Sequence, residues 1–145
     1  MKKASVSYNE RAWAADVIGE INRWLSVRSL IVRSAGGEWG VAAQGEASTL
    51  FPDVLLFGDM GRAAVLQGWE LKMPDTPITD QALVENARQK AIRLGLNSFL
   101  LWNATDAALH AVDKIDCPIV ATWHCDSLRS REDVWKRTGE WLPML

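Results

Sequence analysis

Two short apolar segments on either side of a glycine-containing turn constrain the fold of this chain more than any other feature. Residues 53–57 and 64–72 are rich in Val, Leu, Phe and Trp, and Gly58-Asp59-Met60-Gly61 lies between them. Segments of this length and composition around such a turn predict two antiparallel strands that form a hairpin. An isolated hairpin is only marginally stable, so other elements are expected to extend and cover its sheet.

Two amphipathic helices are predicted, one on each side of the hairpin in the sequence. Apolar side chains at helical spacing predict the first over residues 8–27, with Ser7 as N-cap and Glu10 completing a capping box. The second covers residues 79–94, with Thr79 as N-cap and Gly95 as C-cap. Their apolar stripes consist of Trp13, Val17, Ile21, Trp24 and Leu25 in the first helix and of Ala82, Leu83, Ala87, Ala91 and Leu94 in the second.

The remaining pattern predicts further strands and one more helix. Residues 29–34, 97–103 and 118–123 are predicted strands. Residues 107–112 fit a helix or a strand, and a strand is preferred because the predicted strand 118–123 follows soon after. Ala35-Gly36-Gly37 is a predicted turn, and residues 130–141 form a predicted helix capped by Ser130. Residues 38–50 are predicted to be irregular, with one more edge strand as the alternative. A buried strand at 97–103 directly after a helix is typical of a crossover connection. The sequence therefore predicts an α/β domain with a mixed central sheet.

The composition indicates a single globular domain of residues 1–145. Of the 145 residues, 48% are hydrophobic and 23% are charged, as in ordinary soluble domains. No apolar run approaches the roughly 20 residues of a membrane-spanning helix, and the N-terminus lacks the apolar region of a secretory signal. We therefore expect a cytoplasmic protein with no membrane partner. The apolar end of the chain, residues 141–145, also suggests one domain of a longer protein.

The net charge of −2 predicts weak intrinsic affinity for nucleic acid, because tight duplex binders usually carry a basic surplus. Any phosphate contact must then come from local basic groups or from a partner. Two groups of basic residues are candidates and are equally ordinary as surface charges: Arg23, Arg28 and Arg33, and Arg88, Lys90 and Arg93.

The aromatic, cysteine and histidine residues are interpreted as structural. The eight tryptophans are expected to anchor the core rather than to stack on bases. Cys117 and Cys125 are too few for a disulfide framework and are interpreted as small buried hydrophobic residues. His110 and His124 lie near them in the sequence, but the four residues lack the spacing of a metal site.

The residues with the clearest chemical potential are Asp53 and the triplet Glu70-Leu71-Lys72. Residues two apart in a strand share a face, so Glu70 and Lys72 are expected side by side, with Leu71 turned into the core. Asp53 begins the neighbouring strand of the hairpin, so its carboxylate is expected near Glu70. A second Pro-Asp pair, at residues 74–75, follows the Glu-x-Lys triplet and is therefore in the wrong order for this arrangement.

Two carboxylates at such short range repel each other, and a divalent cation would resolve the conflict. Oxygen ligands with an open coordination shell suit Mg²⁺, for which Mn²⁺ can substitute. A cation there polarises a phosphoryl oxygen and lowers the pKa of a bound water. Lys72 is placed to orient or deprotonate that water, or to neutralise developing charge. The pattern thus predicts metal-dependent hydrolysis of a phosphate ester.

These residues, and the predicted order of elements over residues 8–103, resemble the PD-(D/E)XK nuclease superfamily. Its restriction-endonuclease-like fold has an α-β-β-β-α-β core, a mixed sheet flanked by helices. The resemblance implies that Asp53 and Glu70 bind the metal, that the Leu71 carbonyl can join them, and that Lys72 is the catalytic lysine. Residues 69–77 and 99–103 are also similar to N-terminal nuclease-like domains of bacterial restriction–modification or phage-defence proteins.

Many members of the superfamily add an acidic residue from the first helix. Glu10, Asp16 and Glu20 are the candidates here. Glu20 lies at the edge of the apolar stripe and could point toward the site, with a solvated carboxylate as an equally weighted alternative.

Members also often use polar residues on the helix after Glu-x-Lys. Asn86 and Lys90 lie one turn apart on one face and are preferred as substrate contacts. Glu85 and Gln89 are also one turn apart and are interpreted as the solvent face.

The favoured hypothesis is a Mg²⁺-dependent DNA endonuclease that serves as the cleavage module of a restriction or defence system. A fused or associated methyltransferase or helicase module would supply targeting, and a homodimer would place two sites on two strands. The alternative is a catalytically inactive nuclease-fold module that binds DNA or a partner, because a fold does not imply activity. A metal-dependent hydrolase of another phosphate ester is the third hypothesis.

Overall fold

The computed structural model describes residues 9–37, 52–61, 64–113 and 116–124. They contain two helices, α1 (Glu10–Leu25) and α2 (Gln81–Arg93). Six strands form one sheet in their sequence order: β1 (Ser34–Gly37), β2 (Val54–Phe57), β3 (Val65–Leu71), β4 (Ser98–Trp102), β5 (Asp106–Ala111) and β6 (Ile119–His124). The predicted irregular segment 38–50 and helix 130–141 lie outside the described residues.

The predicted hairpin and crossover are confirmed. Strands β2 and β3 pair antiparallel, with Val54 opposite Trp69. After β3 the chain forms α2 and returns as β4, which pairs parallel to β3. Gly95 has a φ of +70° and ends α2 as predicted, because glycine adopts this left-handed conformation without strain. All other strand pairs are antiparallel, so the fold is mixed α/β.

The sheet separates two apolar cores. On one face, Trp13 of α1 packs with Leu71 and Trp102, and the ring centroids of the two tryptophans are 4.6 Å apart. On the other face, Ala87 of α2 packs with Leu101. The two helices therefore cover opposite faces of the central strands, which explains why β4 is apolar on both sides.

The tryptophans within the described residues have the predicted core role. Trp13, Trp69 and Trp102 are buried, and Trp24 and Trp123 pack half-buried against the same core. The other three, Trp39, Trp135 and Trp141, lie outside the described residues.

The prediction for the first strand is wrong. Residues 29–33 form no strand, and β1 includes Ala35-Gly36-Gly37, which was expected to turn. The reason is the docking of α1, whose Asn22 side chain accepts from the Ala35 N–H at 2.8 Å and donates to the Ala35 C=O at 3.0 Å. Small side chains fit beneath the helix, whereas Ile31 is 84% exposed.

The helix starts are also shifted. Asn9 caps α1 and accepts a hydrogen bond of 2.9 Å from a first-turn N–H, while the predicted cap, Ser7, lies outside the described residues. Asp80, rather than Thr79, caps α2 with a hydrogen bond of 3.0 Å. Both observed caps have side-chain oxygens of the type preferred at this position.

Candidate active site

The Pro52-Asp53 segment lies beside the end of β3. The Asp53 Oδ2 accepts a hydrogen bond of 2.8 Å from the Leu71 N–H. Pro52 is buried and packs on Gly68, where an added Cβ would lie only 2.5 Å from the Pro52 Cγ. Because only glycine permits this approach, Gly68 helps to hold Asp53 at this end of the hairpin.

The Leu71 side chain is fully buried in the core, as the strand alternation predicts. In a β-strand, the N–H and C=O of one residue point toward the same neighbouring strand. Since the Leu71 N–H reaches Asp53, the Leu71 carbonyl faces the same side of β3. The Asp53 carboxylate and the Leu71 carbonyl oxygen therefore lie on the same side of β3.

Glu70 is a buried acid on the face of the sheet that α2 covers. It is 4% exposed. Burial, followed by the negative charge of Asp53, raises the pKa of Glu70 from 4.5 to about 7, against the lowering effects of Lys90 and Lys72. The carboxylates of Asp53 and Glu70 therefore act on each other electrostatically, as the hairpin arrangement predicts.

Lys72 follows β3 directly, and its N–H donates to the Trp102 C=O at 3.0 Å. The side chain is half-buried, and its positive charge acts on Glu70 by lowering the pKa of that carboxyl. Within the described part of the chain, its ammonium has no hydrogen bond or ion pair. We refer to Asp53, Glu70, the Leu71 carbonyl and Lys72 as the hairpin site.

The counter-ion of Glu70 comes from α2. The Lys90 Nζ lies 2.8 Å from the Glu70 Oε1, and the two side chains are 10% and 5% exposed. Sequence reasoning proposed Lys90 only as a substrate contact and missed this pairing. A signal was available, because Lys90 follows Ala87 by three residues and therefore lies within the apolar stripe of the helix. Asn86, one turn earlier, is exposed.

The loop between Lys72 and α2 is anchored by Asn103, a buried residue directly after β4. Its Nδ2 donates to the Thr76 C=O at 2.8 Å. Its Oδ1 accepts from the N–H groups of Thr105 and Asp106 at 3.0 and 2.7 Å. Asn103 therefore ties the loop that follows the Glu-x-Lys triplet to the neighbouring strand, a role that sequence reasoning did not assign.

The structure does not bring Glu20 to Asp53. Asn22 binds Ala35 near the start of β1, and this end of β1 pairs with the end of β2 that is remote from Asp53. Glu20, two residues before Asn22, forms an ion pair of 2.7 Å with Arg23. No group of three or more His, Cys, Asp or Glu side chains among the described residues is placed to hold a metal ion.

Other candidate residues have local partners. On the exposed side of α2, Glu85 accepts a hydrogen bond from Gln89 at 2.8 Å, which confirms these two residues as a solvent face.

One of the candidate basic residues, Arg28, lies just after α1. Its guanidinium is 3.9 Å from the centroid of the Trp24 ring. Arg28 therefore packs on a neighbouring aromatic ring as well as carrying charge.

His110 has structural contacts with the described cysteine and with a core aromatic residue. His110 is 4% exposed; its Nδ1 lies 2.8 Å from the Cys117 C=O, and its ring stacks on Phe99. Cys117 is half-buried, and Cys125 lies outside the described residues. A cavity of about 600 Å³ lies between the start of α2 and strands β5 and β6, and no residue of the hairpin site lines it.

Comparison of the chain with protein-family models, with curated proteins and with solved structures finds no significant match in any of the three. The class of the protein is therefore described by its fold. It is a mixed α/β protein with an acidic and basic cluster at one end of a six-stranded sheet. Neither helix in the described ranges is long and apolar enough to span a membrane.

Proposed function

We propose that this chain is a metal-dependent nuclease of the PD-(D/E)XK kind that hydrolyses phosphodiester bonds of DNA. The observation that carries the proposal is the convergence of Asp53 and Glu70 at one end of the hairpin, with Lys72 acting on the same carboxylate. Burying a carboxylate near a second one is unfavourable. Two buried carboxylates at short range are therefore expected where they bind a ligand or take part in catalysis.

The order of the elements supports this proposal. Along the chain, α1, β1, β2, β3, α2 and β4 follow one another, which is the α-β-β-β-α-β order of the restriction-endonuclease-like core. The Pro-Asp pair and the Glu-x-Lys triplet lie on the adjacent antiparallel strands of the hairpin within this order.

The oxygen donors of the hairpin site fit a hard divalent cation. Asp53 and Glu70 supply carboxylates, and the Leu71 carbonyl faces the side of β3 on which Asp53 lies. Mg²⁺ in proteins is commonly held by only one or two carboxylates, with waters and substrate phosphates as further ligands. These three groups would therefore hold Mg²⁺ or Mn²⁺. When bound, such an ion polarises a phosphoryl oxygen and lowers the pKa of a bound water.

Lys72 supplies the remaining chemistry in this proposal. Its positive charge acts on Glu70, whose pKa it lowers, and its ammonium would orient the attacking water. The same charge would stabilise the negative charge that develops on the phosphoryl oxygens. Exposed Asn86 on α2 remains a candidate contact for the substrate backbone.

One observation favours the alternative, a nuclease-fold module that binds DNA or a partner without cleavage. Glu70 already has a buried counter-ion in Lys90, so its charge is compensated in the absence of a metal ion. A fold of this kind does not by itself imply activity.

The test is cleavage of supercoiled plasmid by the purified chain in Mg²⁺ or Mn²⁺. We expect nicked and linear products that EDTA abolishes. Asp53→Asn and Lys72→Met should each slow cleavage by about 10²-fold or more, because each removes a group that acts on the developing charge. Glu85→Gln is the matched control, because it removes an exposed charge of α2 and should cleave like the wild type.

The outcomes separate the three hypotheses. Cleavage by Asp53→Asn at the wild-type rate contradicts a site at the hairpin. Stabilisation by Mn²⁺ that Asp53→Asn removes, without cleavage of plasmid or of linear DNA, favours hydrolysis of another phosphate ester. No cleavage and no stabilisation by either cation favours the binding module.

A further inference from the structure

Lys90 and Glu70 form a buried ion pair that joins α2 to β3. The Nζ and Oε1 atoms are 2.8 Å apart, with little of either side chain exposed. Within the described ranges, Glu70 is the one hydrogen-bond partner of the Lys90 ammonium. Ala87 and Ala91 on either side of Lys90 are 2% and 0% exposed. They hold this part of α2 against the sheet, so the ammonium is kept close to Glu70.

The charges that act on Glu70 come from three elements. Asp53 precedes β2, Lys72 follows β3, and Lys90 lies on α2. With Glu70 ionised, they make two negative and two positive charges, which balance without any added ion. A divalent cation held by Asp53 and Glu70 would share Glu70 with the Lys90 ammonium. Like charges at this range repel strongly where water screens them poorly.

We propose that Lys90 is an internal competitor of the metal ion at the hairpin site. It holds Glu70 in the metal-free protein and lowers the affinity of the site for divalent cations. This inference rests on the proposed function, because the cation site is the one proposed there. Lys90 is a positioning residue in this scheme, since it acts through Glu70.

The test is binding of Mn²⁺ alone, without DNA, measured by isothermal titration calorimetry on four forms of the full chain. These are the wild type, Lys90→Met, Lys90→Arg and the exposed control Arg93→Met. We expect Lys90→Met to bind Mn²⁺ about tenfold more tightly or better, because the repelling charge is gone. Lys90→Arg keeps the charge and should stay near the wild-type affinity, as should Arg93→Met.

Thermal melts in EDTA give the second readout. Lys90→Met should melt at a lower temperature than the wild type, because Glu70 loses its partner. Lower metal-free stability together with higher cation affinity is the expected signature. A purely structural role for Lys90 would lower stability and leave the affinity unchanged or weaker. Circular dichroism establishes folding, and Lys90→Gln carries the same expectation if Lys90→Met does not fold.

Unchanged or weaker Mn²⁺ binding by folded Lys90→Met or Lys90→Gln overturns the inference, as does an equal gain in Lys90→Arg. Asp53→Asn added to Lys90→Met should remove the gain, and a gain that survives would place the ion elsewhere and also overturn it. If the wild type cleaves plasmid in an Asp53-dependent manner but Lys90→Met shows no gain, the proposed function stands and the inference fails. Binding of no cation by any form overturns both.

Discussion

Among the residues that the structure describes, Glu70 is the one at which burial and charge conflict most strongly. It is 4% exposed, lies close enough to Asp53 to be affected by its charge, and depends on Lys90 for compensation. Neither neighbour alone explains the pKa of Glu70, because Asp53 raises it while Lys90 lowers it. The local sequence Glu70-Leu71-Lys72 predicts one neighbouring charge, and the other two come from distant parts of the chain.

The raised pKa of Glu70 predicts how the metal-free protein responds to pH. The pKa rises from 4.5 to about 7 on folding, so the folded state binds this proton more tightly than the unfolded state. The resulting stabilisation is fully present below pH 4.5 and is lost as the pH rises through 7. The loss is of the order of 3 kcal/mol.

Urea unfolding in EDTA between pH 4.5 and 8.5 measures this effect. The wild type should lose free energy of unfolding with rising pH relative to Glu70→Gln, because the two proteins differ only at this carboxyl. Glu85→Gln, which alters an exposed carboxylate, should follow the wild type. Parallel pH profiles for wild type and Glu70→Gln would show that Glu70 does not titrate as described.

At the scale of elements, the β2–β3 hairpin is shaped by the contact between Gly68 and Pro52. An added Cβ at Gly68 would lie 2.5 Å from the Pro52 Cγ, a distance that requires one of the two strands to move. The strand pattern predicts the hairpin, but this contact depends on how the chain enters β2. From the sequence alone, Gly68 is expected only to weaken the strand in which it lies.

Gly68→Ala should therefore lower the free energy of unfolding by about 1–3 kcal/mol and displace Asp53, which follows Pro52. Gly19→Ala is the matched control, since an added Cβ on the exposed side of α1 meets no atom within 4 Å. That substitution should stabilise the protein by about 0.5–1 kcal/mol, because alanine favours helix. Urea unfolding measures both changes. Equal stability of Gly68→Ala and wild type would mean that the strands adjust freely.

At the scale of the whole molecule, the charge distribution argues against tight binding of nucleic acid by this chain alone. The net charge is −2, and Arg23 and Arg28 have local partners in Glu20 and Trp24. Counter-ion release from DNA requires basic groups that are free to meet phosphates. A fused or associated module, or a second copy of the chain, is therefore a proposed source of affinity.

We expect the isolated chain to bind a DNA duplex with a dissociation constant of about 1 μM or weaker at physiological salt, and more weakly as salt increases. Fluorescence anisotropy of a labelled duplex in EDTA, from low to physiological salt, measures both. Tight binding that does not respond to salt would contradict this expectation.

The sequence by itself determined the hairpin, the crossover helix and the adjacency of Asp53 to the Glu70-Leu71-Lys72 strand. These features follow from backbone periodicity and from turn residues, which act over a few residues. Only the tertiary structure decided that α1 docks on Ala35 through Asn22, 13 residues away, and that Glu70 pairs with Lys90, 20 residues away. Such contacts depend on how the elements pack against one another. A pattern over a few neighbouring residues does not predict which residues 13 or 20 positions apart will meet.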